Sequence, residues 1–181
     1  MENTSKRGNG NAVWTFLAIL IAALPLPWIF ASICAAIVHE AGHYIAILLL
    51  TGERTQLFIQ LFHSRLRMPD SSCKNELICA MSGPAAGIML LLLQPVFPKL
   101  AFCALVQSAF NLLPIYPLDG GRTLQCLLAM ICKPDRAAQI YAIIANLCRF
   151  LVVIGAFYAT VRYDWGYYAL FAAGIVLIPR K

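Results

Sequence analysis

Apolar residues run almost without interruption from Ala12 to Leu50. As one helix this stretch would be roughly 60 Å long, twice the hydrocarbon thickness of a bilayer. The chain must therefore turn back, and its only breakers there are Pro25 and Pro27. The pattern predicts a first span over 12–24 and a second over 28–50. Lys6 and Arg7 ahead of an apolar core resemble a signal peptide. The apolar run continues into the second span without a polar cleavage region, however, which favours a retained helix. A polar stretch, Thr51 to Glu76, follows; its middle, Gln56 to Leu66, mixes apolar and polar residues at an irregular two-residue period and predicts a short hairpin or interfacial segment. Further spans are expected over 77–94, 99–117, 137–161 and 165–178. The last is about 21 Å long as a helix and needs thinning of the bilayer or help from Arg180 and Lys181 at the interface. The expected fold is an all-α polytopic membrane protein, a single domain over 1–181. It has about six transmembrane helices and a short β-like or interfacial segment between the second and third.

Composition agrees with this reading. The 181 residues are 61% hydrophobic and 12% charged, about half the charge of a soluble domain. Disorder is excluded, because a disordered chain lacks the apolar surface that this one has in excess. The net charge is +6, but its basic residues stand singly between apolar runs, so nucleic acid is not an expected partner. Placing the N-terminus in the cytosol puts 11 of the 14 Lys and Arg inside and only Lys99 and Arg162 outside, with Arg149 within a span. Both termini are accordingly expected in the cytosol and the chain in the cell membrane. The seven Cys form no C-x-x-C pair and read mostly as apolar core residues.

The acids are more telling by position. Six of the eight fall in predicted tails or loops, whereas Glu40 lies inside the second span and Asp119 at the end of the fourth. Ionisable groups at membrane depth are costly and mark function by default. Glu40 belongs to His39-Glu40-Ala41-Gly42-His43. Residues i and i+4 share a helix face, so the two imidazoles suit one zinc ion, and a Glu directly after the first His suits a general base acting on the water that zinc acidifies. Chance would give H-E-x-x-H about twice in a thousand chains of this composition. The competing reading, two buried structural His, would hide two imidazoles and a carboxylate in hydrocarbon with nothing to hold. His63, alone in the polar loop, reads as a surface residue.

A catalytic zinc usually has three protein ligands and an open position. Cys34 is about 140° off the ligand face at 100° per residue and is a weak third ligand. Asp119 is better placed. It closes the stretch Phe110 to Arg122, in which Pro114 and Pro117 interrupt the helix and Gly120 and Gly121 permit unusual backbone angles near the cytosolic end of the second span. The alternative for Asp119 is the N-cap of a following helix. Asn111, eight residues earlier, is a candidate to hold the substrate backbone or the oxyanion, with helix packing as the alternative. Arg149 receives no catalytic role.

His-Glu-Ala-Gly-His in an early span, with Asn-Leu-Leu-Pro-Ile-Tyr-Pro-Leu-Asp-Gly-Gly in a later one, resembles the site-2 protease family of intramembrane zinc metalloproteases. That family pairs H-E-x-x-H with N-x-x-P-x-x-x-x-D-G, matched here at Asn111, Pro114, Asp119 and Gly120. Ser82-Gly83-Pro84-Ala85-Ala86-Gly87 is similar to its Gly-Pro element, with Gly where a polar residue is common. The nearest flavour is the six-span subgroup that includes the sporulation protease acting on a sigma-factor precursor. Many members of that subgroup append a cytosolic nucleotide-sensing domain; this chain stops at Lys181, so such a domain is expected to be absent.

The resemblance implies one zinc ion on His39, His43 and Asp119, Glu40 as catalytic base and Asn111 near the substrate. It implies a membrane-protein substrate cut near the cytosolic side, such as a membrane-tethered transcription factor precursor, and admits a membrane-embedded regulator; the lipid bilayer is the solvent. A strand-like pairing of the 56–66 segment with an unwound substrate is a further expectation. The competing function is a zinc transporter or zinc-binding membrane protein without protease activity. Ligands clustered at one depth argue against transport.

Overall fold

A computed structural model describes residues 25–51 and 72–163. The spans expected over 12–24 and 165–178, the 56–66 segment and His63 lie outside the described residues. Within them the chain forms five α-helices and no strand: α1 (Leu26–Thr51), α2 (Cys73–Met89), α3 (Pro98–Asn111), α4 (Asp119–Ile131) and α5 (Pro134–Tyr163). A 3₁₀ turn, Leu90–Leu93, extends α2.

The starts of these helices follow from their residues. α3 and α5 open on Pro98 and Pro134, whose missing N–H groups cost nothing in a first helical turn. α1 likewise carries Pro27 in its first turn. Three described segments are long and apolar enough to cross a membrane: Leu26–Leu50, Cys73–Leu93 and Pro134–Arg162. They correspond to the spans expected over 28–50, 77–94 and 137–161.

The expected span over 99–117 needs correction. Its helix ends at Asn111 and is 14 residues long, about 21 Å and short of a bilayer crossing by itself. The cause is Pro114, which has no N–H for the Phe110 carbonyl and disfavours helical angles at Leu113. The stretch after it, outside the predicted spans, holds the 13-residue helix α4. Its buried side chains include Arg122, whose guanidinium lies 3.8 Å from Glu76 in the first turn of α2.

α2 is central and packs against α1, α3 and α4, while α5 packs on α4. Trp28 of α1 meets Phe102 of α3 edge-on at 5.7 Å, and farther along the same two helices His39 meets Asn111. α1 and α3 therefore run in the same direction. Small residues let α2 close on its neighbours, as expected where helices associate without a hydrophobic driving force between them. A Cβ on Gly42 would stand 2.5 Å from the Ser82 carbonyl oxygen and 2.8 Å from Ala86 Cβ. Gly42→Ala must push two backbones apart, so a loss of about 1–3 kcal/mol is expected, read as a lowered thermal midpoint of the detergent-solubilised protein.

All seven cysteines are free thiols, but only Cys79 and Cys126 are buried, which corrects the reading of most of them as core residues. Cys34 is exposed.

Candidate metal centre

Three elements bring the site together. α1 supplies His39 and His43, one helical turn apart, and both side chains face inward because Ala35, Ala46 and Ile47 line the same buried face. α4 supplies Asp119 from its first turn. Asp119 is not the N-cap; Leu118 holds that position with extended backbone, which leaves the carboxylate free to turn toward α1.

The connection from α3 to α4 explains that placement. After Asn111 the chain folds back through short bonds, Ile115 N–H to the Leu113 carbonyl (2.7 Å) and Leu118 N–H to the Ile115 carbonyl (2.9 Å). A Cβ on Gly120 would strike the Leu112 carbonyl, and one on Gly121 would lie 2.5 Å from the Ile115 carbonyl carbon and the Tyr116 nitrogen. These glycines therefore serve close approach of α4 to the preceding loop. From α5, the Tyr141 hydroxyl accepts the Tyr116 N–H at 2.7 Å and ties down the loop.

Asp119 Oδ2 lies 3.1 Å from His39 Nε2 and 3.2 Å from His43 Nε2, and the two Nε2 atoms are 3.2 Å apart. All three residues are buried, at 3%, 6% and 8% exposure for His39, His43 and Asp119. They form the group of His, Cys, Asp and Glu among the described residues whose donor atoms converge within 4.8 Å. In a tetrahedral zinc site with bonds near 2.0–2.1 Å, neighbouring ligand atoms stand about 3.3–3.4 Å apart. A triangle with edges of 3.1–3.2 Å matches one face of such a tetrahedron, so the residues present fit a zinc ion.

The histidines differ in their outer contacts. His43 Nδ1 donates to the Cys79 carbonyl at 2.7 Å, since a carbonyl can only accept. Its Nε2 is thereby left with a lone pair for the triangle. His39 Nδ1 is buried without a hydrogen-bond partner among the described residues.

Asn111 sits at the edge of the triangle, its amide nitrogen 3.3 Å from His39 Nε2. Glu40 is exposed. In projection it lies about 100° from His39 and about 60° from His43, between the inward face and an exposed apolar stripe that includes Phe30, Ile33 and Ile37. Cys34 is exposed too. Arg149 donates to Asn146 Oδ1 within α5 at 2.8 Å.

Sequence reasoning passed over three contributors: the Cys79 carbonyl, the absent Cβ of Gly83 and the Tyr141 hydroxyl. A Cβ on Gly83 would occupy the space of the His43 ring. Gly83 had a signal, as a glycine inside a predicted span. A backbone acceptor has none.

The Peptidase family M50 signature matches residues 91–155, which include Asn111 and Asp119. The zinc metalloprotease MJ0392 of Methanocaldococcus jannaschii is 29% identical over 137 residues, covering 67% of this chain and 37% of its own. The chain thus spans little more than a third of that curated relative. The solved structure of the site-2 protease from Methanocaldococcus jannaschii aligns over 93% of this chain and 87% of its own, with a TM-score of 0.55 and 17% identity, and so shares its fold.

Proposed function

From a chain that carries a Peptidase family M50 (site-2 protease) domain, we propose a zinc-dependent intramembrane endopeptidase, with one zinc ion on His39, His43 and Asp119. The observation that carries this reading is the triangle of two imidazole nitrogens and one carboxylate oxygen, buried among apolar helices.

Zinc bound there would acidify a water molecule and polarise the scissile carbonyl. The chain's own residues do the rest. Glu40, at the boundary between the ligand face and the open face of α1, takes the proton of the attacking water and passes it to the leaving amine. Asn111, against His39, offers its amide to the substrate backbone or to the developing oxyanion. Asp119 and the two imidazoles hold their geometry because glycine-dependent contacts at α2 and α4 leave little room to move.

The substrate is a membrane-associated protein cut near the cytosolic side, with a tethered regulator such as a transcription factor precursor as the type we favour. Its bond must be locally unwound before attack, since the carbonyls of a transmembrane helix are internally hydrogen-bonded. Membrane proteomes of cells carrying wild-type or Glu40→Gln protein test the reading. Fragments that disappear in the variant while their full-length parents accumulate are expected; identical proteomes would contradict it. Zinc transport is disfavoured because the ligands lie at one depth. Zinc flux into indicator-loaded vesicles holding the wild-type protein would reinstate it.

A further inference from the structure

We propose that Ser82 is a positioning residue for zinc binding, acting through the Cys79 carbonyl to fix the tautomer and orientation of His43; this rests on the reading that His39, His43 and Asp119 hold zinc. Two donors converge on that carbonyl: Ser82 Oγ at 2.6 Å and His43 Nδ1 at 2.7 Å. Ser82 Oγ also lies 3.5 Å from Nδ1. Because the hydroxyl gives its only hydrogen to the carbonyl, it turns lone pairs toward the ring. Both neighbours of Nδ1 are then acceptors, so the proton stays on Nδ1 and the Nε2 lone pair points at the triangle.

The same stretch of α2 shapes the seat sterically, since the His43 ring occupies the space a Cβ on Gly83 would take. His39, with its Nδ1 unpartnered among the described residues, has no equivalent director. The tautomeric specification of the ligand pair thus falls on His43 and the Cys79–Gly83 segment.

Outer contacts of metal-bound histidines are worth about 10–100-fold in affinity. For the full-length protein in detergent, zinc affinity is measured by competition with a chromophoric chelator, alongside the visible d–d spectrum of the cobalt-loaded form and helical content by circular dichroism. Ser82→Ala is expected to bind zinc at least about tenfold more weakly and to shift the cobalt bands, with helical content unchanged. Ser82→Thr, which keeps the hydroxyl, should restore wild-type affinity, and Ser82→Cys, a weaker donor, should fall between. Cys79→Ala leaves the backbone carbonyl in place and should bind as wild type.

Wild-type affinity and spectrum in Ser82→Ala would overturn the proposal, as would Ser82→Thr binding no better than Ser82→Ala. Equal weakening in Cys79→Ala would overturn it by showing a packing effect. The underlying site is judged separately: if the wild-type protein binds no zinc, or His43→Ala binds it undiminished, the metal reading fails whatever Ser82 does.

Discussion

Glu40→Gln is expected to lower the turnover of a substrate found by membrane proteomics by about 10²–10⁴-fold and to leave zinc content unchanged. The size follows from what the substitution removes. Gln keeps the volume and polarity of the side chain but cannot accept the proton of the attacking water, so the general-base contribution goes and the substrate contacts stay. Zinc is retained because Glu40 is outside the ligand triangle, on the exposed side of α1. The paired readout is parent-to-fragment conversion in proteoliposomes and metal content of the same preparation. Full activity in Glu40→Gln would remove Glu40 from the mechanism, and loss of zinc would make it a ligand.

The second large effect belongs to Asp119. Removing its carboxylate leaves two imidazoles, one atom short of the three protein ligands a catalytic zinc requires. Asp119→Ala should therefore weaken zinc binding by more than the about 100-fold that marks the upper end of outer-contact substitutions, and activity should fall with it. Asp119→Asn, which keeps the shape of the side chain but not its charge, should also bind less zinc than wild type. Chelator competition checks both variants. Undiminished affinity in Asp119→Ala would point to another third ligand, and the exposed thiol of Cys34, on another face of α1, offers no replacement.

Why these residues stand out in the sequence, and others do not, is a matter of physics. An imidazole pair and a carboxylate inside an apolar run stand out because hydrocarbon penalises them, so His39, Glu40, His43 and Asp119 could be singled out without a fold. The long apolar runs over 28–50, 77–94 and 137–161 were legible for the same reason, since length and hydropathy alone make a spanning helix. Helix α4 was not. Gly120 and Gly121 at its start read as residues that permit unusual backbone angles, whereas in the structure they admit the carbonyls of Leu112 and Ile115, a tertiary demand that no local pattern announces. Arg122 was hidden in the same way: as one more basic residue it counted toward orientation, yet it is buried beside Glu76 of another helix. The early end of α3 at Asn111 was legible in Pro114, but the apolar residues beyond it carried the expected span on to 117. The Cys79 carbonyl and the Tyr141 hydroxyl act on groups 36 and 25 residues away and leave no spacing to find.

The proposed activity requires zinc held by two nitrogens and one oxygen from three side chains, in a protein with seven free thiols that could compete for it. Zinc-edge X-ray absorption of the purified protein tests that claim most directly. The spectrum should show imidazole scattering from two ligands and only nitrogen and oxygen neighbours at about 2.0–2.1 Å, and Asp119→Ala should lose the metal. A shell of sulfur at about 2.3 Å, or a wild-type protein that carries no zinc, would contradict it.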